Sequence, residues 1–75
     1  MKLSELMRSE RIKQGMTLDV ASEKVGISKV YLSDIERGKK RPLKKETLEK
    51  LAIGFKINPI IVKQAALESV KSDLE

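Results

Sequence analysis

The chain has no cysteine and no histidine. Without thiols, no disulfide or thiolate-bound metal can supplement the fold, which fits a reducing compartment. Without imidazole, the usual zinc centres and histidine-based general base chemistry are excluded. Aromatic residues are scarce: one Phe, one Tyr and no Trp. Phe55 therefore reads as a structural anchor of the core rather than a stacking platform. No stretch approaches the ~20 apolar residues that span a bilayer. The opening MKLSELMRSERIK mixes charges into its apolar positions and so has no signal-peptide core. The expected setting is cytoplasmic, with no membrane, metal or cofactor. Nor does the chain read as an enzyme. Glu5, Glu10 and Glu23 lie among opposite charges that ion pairing explains, and Gly15, Gly26, Gly38 and Gly54 each read as helix ends rather than a phosphate-binding loop.

At 75 residues the chain is expected to form one domain, residues 1–75, with a thin core, because a domain this small buries only about 60% of its unfolded surface. The formal net charge is +5, and its placement says more than its size. In RGKKRPLKK the cations Arg37, Lys39, Lys40, Arg41, Lys44 and Lys45 follow one another without an acid. A local cluster of this kind is what a polyanion-binding surface requires, and a solvated loop is the bland alternative.

Apolar spacing is helical nearly throughout, and the only prolines, Pro42 and Pro59, stand where helices start or stop. The pattern predicts an all-α fold of five helices. The first runs from about Leu3 to Gln14 with Leu3, Leu6, Met7 and Ile12 inward, and Gly15 ends it. Thr17 caps a second, Leu18 to Val25, which buries Leu18, Ala21 and Val25 and closes at Gly26. Ser28 opens the third, Lys29 to about Arg37, after so short a turn that the two helices must cross steeply. The unit spanning about residues 17–37 is a helix-turn-helix. Leu32, Ile35 and Glu36 fall on one side of the third helix. Lys29, Val30, Ser33, Asp34 and Arg37 fall on the other, a varied set of donors, acceptors and methyls suited to reading base edges in a major groove. A fourth helix buries Leu48, Leu51, Ala52 and Phe55. The last, about 59–74, starts at Asn58 and Pro59 and carries more apolar residues than one contact face requires.

The stretch RIKQGMTLDVASEKVGISKVYLSDIERGKKRP, Arg11 to Pro42, resembles the Cro and phage-repressor helix-turn-helix family, also called the xenobiotic-response-element family. The resemblance is carried by Arg11, GMT at 15–17, VGIS at 25–28, YLS at 31–33 and IERG at 35–38, and extends more weakly over nearly the whole chain. It implies a compact, lambda-repressor-like five-helix DNA-binding domain that docks as a dimer on a two-fold operator of double-stranded DNA. Lys29, Val30, Ser33 and Asp34 then occupy base-contacting positions. Tyr31 and Arg37 lie nearer phosphates, and Thr17 sits where the second helix approaches the DNA backbone. Ser28, Lys39, Lys40 and Arg41 complete the expected phosphate contacts. Arg11 and Glu36, on inward lines among apolar residues, match positions that pair in this family. Two departures stand out: Leu18 where many members have Gln, and Ala21-Ser22 where Leu-Ala is preferred.

The resulting expectation is a sequence-specific transcriptional regulator, a repressor acting on a palindromic operator. The homodimer contact would run through Ile60, Ile61, Leu67, Val70 and Leu74 of the last helix, with Ala65 adding to the apolar surplus. The alternative is an antitoxin-type module that covers a partner protein and regulates its own operon.

Overall fold

The computed structural model describes residues 1–73, with side chains described through Val70. They form five helices: α1 Leu3–Lys13, α2 Leu18–Val25, α3 Lys29–Glu36, α4 Lys45–Phe55 and α5 Pro59–Asp73. Local chemistry accounts for the boundaries of α2 and α3. The Thr17 hydroxyl accepts from the Val20 amide at 3.2 Å and the Ser28 hydroxyl from the Tyr31 amide at 3.0 Å, so each satisfies an amide that the first turn leaves without a partner. Gly26, at φ +83°, adopts the left-handed conformation that stops α2, and both Gly26 and Ile27 donate to the Ser22 carbonyl.

The core is built from one stripe of each helix: Leu3, Leu6 and Met7 of α1; Ala21 and Val25 of α2; Leu32 and Ile35 of α3; Leu48, Leu51, Ala52 and Phe55 of α4; Val62, Ala65 and Ala66 of α5; and Met16 from the first turn. Leu18 is half-buried at its edge. Ile12 departs from the expected inward set and is 59% exposed. It lies five residues beyond Met7, off the stripe by more than a third of a turn, and Arg11 takes the inward place four residues on.

Gly54 also differs from its expected role as a helix end. It lies inside α4, which continues to Phe55 and is capped by Lys56. A Cβ there would stand 2.6 Å from Cγ2 of Val25 and 2.8 Å from its Cα. Glycine is required because α2 and α4 touch backbone to backbone. Ser22, the small residue in the second departure noted above, is buried, with its hydroxyl donating to the Asp19 carbonyl at 2.9 Å.

In α5 the buried residues Val62, Ala65, Ala66 and Ser69 recur at three and four. Ala65 thus belongs to the core rather than to an apolar surplus. Ser69 ties this helix to the first. Its hydroxyl accepts from the Leu3 amide and donates to the Ala65 carbonyl, both at 2.9 Å. The Met1 ammonium pairs with Glu68 beside it.

Candidate nucleic-acid interface

An ion pair ties helix α3 to α1. Arg11 donates from Nε to Oε2 of Glu36 at 2.8 Å and from Nη2 to Oε1 at 3.1 Å, while Nη1 donates to the Met16 carbonyl at 3.0 Å. The two parallel bonds fix orientation as well as distance. The Glu36 side chain is only 6% exposed and that of Arg11 18%. Hydrogen bonding to Glu36 raises the Arg11 pKa above its ordinary value; burial opposes this, and the carboxylate's charge adds to it. A raised folded-state value contributes stability that is present below the ordinary arginine pKa and lost only as pH rises through the folded one. On the arginine side the pair is therefore insensitive to pH through the neutral range.

With its inward edge fixed by Leu32, Ile35 and Glu36, α3 turns its other side outward. Lys29 is exposed and its Nζ lies 3.4 Å from Oδ2 of Asp19 on α2. Val30 is 71% exposed. Ser33 and Asp34 are half-buried beside it, Arg37 is exposed, and half-buried Tyr31 packs against the core. The structure thus brings Lys29, Val30, Ser33 and Asp34 together on one face. The Thr17 and Ser28 hydroxyls accept cap bonds, which leaves each hydroxyl proton for an outside acceptor.

The cationic run is folded back on the end of α3. Gly38 takes φ +76°, and the amides of Lys39 and Lys40 both donate to the Asp34 carbonyl, at 2.8 and 3.2 Å. Lys39, Lys40 and Arg41 are exposed beside the outward side of α3. Arg37, Lys40 and Arg41 line a cleft of about 250 Å³ together with Lys2 and Ser4 at the start of α1. Periodicity along the chain could not show Lys2 joining the loop cations, because the neighbouring bond from the Leu3 amide to Ser69 spans most of the chain.

On α5, Ile60, Ile61 and Leu67 are 64%, 48% and 54% exposed, Val70 is half-buried, and Leu74 lies outside the described residues. Ile60 continues into a groove of about 340 Å³ between α4 and α5, lined by Leu43, Leu48 and Pro59, with Lys45, Glu49 and Lys63 around it. Leu43, 51% exposed, was missed in the sequence. Its signal is faint, a lone aliphatic residue inside the cationic run. Among the described residues no helix is long and apolar enough to cross a membrane.

Comparison with known proteins agrees with this architecture. A family model described as Helix-turn-helix matches residues 7–61. No curated protein matches the chain. Among solved structures, the wild-type restriction-modification controller protein C.Esp1396I superposes with a TM-score of 0.70 over 91% of this chain and 86% of that one, at 22% sequence identity. With most of its length inside the matched model, a stretch that includes α2, the tight turn and α3, the chain belongs to the Cro/phage-repressor type of helix-turn-helix family, whose members are DNA-binding transcription regulators.

Proposed function

We propose that this chain is a repressor that binds a palindromic operator as a homodimer, with α3 in the major groove. The observation that carries the proposal is the α3 face: Lys29, Val30, Ser33 and Asp34 side by side, flanked by exposed Lys39, Lys40 and Arg41 and by two hydroxyl-capped helix starts. Phosphate contacts from the cations, Thr17, Ser28, Tyr31 and Arg37 supply most of the affinity, and the α3 face supplies the sequence information. Lys29 suits guanine, Asp34 a cytosine amino group and Val30 a thymine methyl. One recognition helix reads only a few base pairs, so a second copy is required for a specific site. The exposed Ile60, Ile61 and Leu67 and the adjoining groove offer the apolar surface for it, and the mixed charges of Lys45, Glu49 and Lys63 can pair across a two-fold axis.

Selection of bound duplexes from a random pool tests this reading, and an inverted repeat with half-sites about 34 Å apart is the expected product. Sedimentation of the free and operator-bound protein should report two chains per operator. Replacing Lys39 or Lys40 by Ala should weaken every sequence alike and make the salt slope shallower by about 0.9 per lost phosphate contact. A monomer that binds a single half-site without cooperativity removes the dimer. A chain with no sequence preference that sediments with a partner protein favours the antitoxin-type reading, since the same apolar surface would serve that partner.

A further inference from the structure

The Asp19 carboxylate stands where a DNA-binding surface should not want one. It lies in the first turn of α2, two residues from Thr17, at a helix start that is a candidate phosphate anchor. A negative charge there repels the polyanion that the neighbouring cations attract. Its partner is Lys29, the first residue of α3, 3.4 Å away. Both side chains are open to water, at 70% and 56% exposure, so the contact adds little to folding. Two local facts explain why it forms. A cation at a helix start faces the positive end of the macrodipole and gains from a nearby anion, and the carboxylate itself is favoured at the start of α2. The short turn at Gly26 and Ile27 sets the start of α3 close against α2, and the long Lys29 side chain reaches back along α2 to Asp19.

Building on the operator-binding reading, we infer that Asp19 is a positioning residue for specificity, which holds Lys29 toward its base and keeps that ammonium from settling on phosphate. A lysine is a flexible point charge with four rotatable carbons. Left unrestrained beside a cationic loop, it joins the backbone contacts that all sequences share and adds to non-specific binding. Paired with Asp19, it gains less from any phosphate than from an operator base reached without breaking the pair. Asp19 thus lowers affinity for DNA at large while leaving affinity for the operator nearly intact.

The test compares the duplex recovered from the random pool with a scrambled duplex of equal length, for wild type, Asp19→Asn, Asp19→Glu and Lys29→Met, and for Lys29→Met combined with Asp19→Asn. Asp19→Asn keeps the side chain's size and the Thr17 cap. It should raise affinity for the scrambled duplex about fivefold at low salt and steepen its salt slope by about 0.9, one further phosphate contact. Operator affinity should stay within about twofold, so the ratio of the two falls. Asp19→Glu should restore the ratio, and in the Lys29→Met background Asp19→Asn should leave it unchanged. An unchanged ratio in Asp19→Asn, or an equal loss on both duplexes, overturns the inference, since the residue would then only support the helix. The same ratio change in both Lys29 backgrounds also overturns it, because Asp19 would be acting as a bare charge. A wild-type chain with no preference between the duplexes overturns the operator-binding reading, and this inference falls with it.

Discussion

Helices α3 and α5 both pack on α1, yet they are joined to it by opposite means. Helix α3 is fixed by a half-buried, bidentate ion pair, Arg11 with Glu36. Helix α5 is joined to α1 itself by a neutral hydroxyl, Ser69, between the Leu3 amide and the Ala65 carbonyl, with the exposed Met1–Glu68 pair beside it. Their outward faces differ as well. α3 shows water a mixture of charge, hydroxyl and one valine, whereas α5 sets three large aliphatic residues, Ile60, Ile61 and Leu67, among its exposed Lys63, Gln64 and Glu68. A surface that must read a polyanion needs donors and acceptors in fixed directions, and a two-bond joint fixes direction. A surface that meets another apolar surface needs area more than angle, and a single hydrogen bond within a packed stripe suffices.

The sharpest way to break this contrast is to remove one half of the charged joint. Glu36→Gln leaves half-buried Arg11 without its counter-charge and should cost about 2–3 kcal/mol, toward the low end for a desolvated pair because part of the guanidinium still reaches water. For a chain of this size that is a large share of roughly 4–11 kcal/mol of total stability. Replacing both partners by apolar residues, Arg11→Met with Glu36→Leu, should recover most of the loss, because the penalty belongs to the unpaired charge. Denaturant unfolding measures both. A loss below about 0.5 kcal/mol in the single variant would assign the pair to the solvated surface.

The next largest effect lies between α2 and α4. Gly54→Ala gains about 1 kcal/mol of helix propensity. Its methyl, however, meets the Val25 backbone, whose Cα would stand 2.8 Å away, and that backbone moves only if α2 moves. Overpacking of about 1–3 kcal/mol or more should outweigh the gain, for a net loss near 1–2 kcal/mol. A rise in Tm would show that α2 can shift freely, and the α2–α3 unit would then be less rigidly seated than α3's ion pair suggests.

Ser69→Ala tests the neutral joint. The Leu3 amide loses its acceptor inside a buried contact, which costs about 1–2 kcal/mol. Unlike Glu36→Gln, the change should leave DNA sequence preference intact, since it loosens α5 and the start of α1 rather than α3. Altered preference in the selected duplexes would mean that the two joints are coupled through α1.

How much of this was visible in the sequence follows from how local each cause is. The limits of α2 and the start of α3 were legible because Thr17, Gly26 and Ser28 act within three or four residues of themselves. Ile12 was misplaced because apolar character was read as inward direction, while the stripe's last turn goes to a guanidinium. Gly54 was misread because glycine near a helix end usually serves the end; its actual reason, Val25, comes from another helix. Ser69 and Lys2 left no readable signal and Leu43 only a faint one, since each acquires its role from contacts with another helix. At the candidate interface the periodicity placed Lys29, Val30, Ser33 and Asp34 on one face, but it could not show that Lys29 meets Asp19, because periodicity describes one helix at a time.

The smallest expected effect comes from the hinge between α4 and α5, which the sequence reading placed at Gly54. The chain instead turns at Lys56, which holds φ +56° and ψ +46°, the only non-glycine among the described residues at positive φ. The turn is fixed by the Lys56 amide donating to the Ile53 carbonyl at 3.2 Å and the Ile57 amide donating to that of Ala52 at 2.9 Å. A side chain in this conformation is disfavoured by about 1–2 kcal/mol, whereas glycine adopts it freely but loses about 0.5–1 kcal/mol more entropy on folding. Lys56→Gly should therefore stabilise the protein by about 0.5–1 kcal/mol, or roughly 2–8 °C in Tm. Because the site lies on the α4–α5 side of the molecule, operator preference should not change. A lower Tm would mean that the Lys56 side chain makes contacts worth more than the strain of the turn.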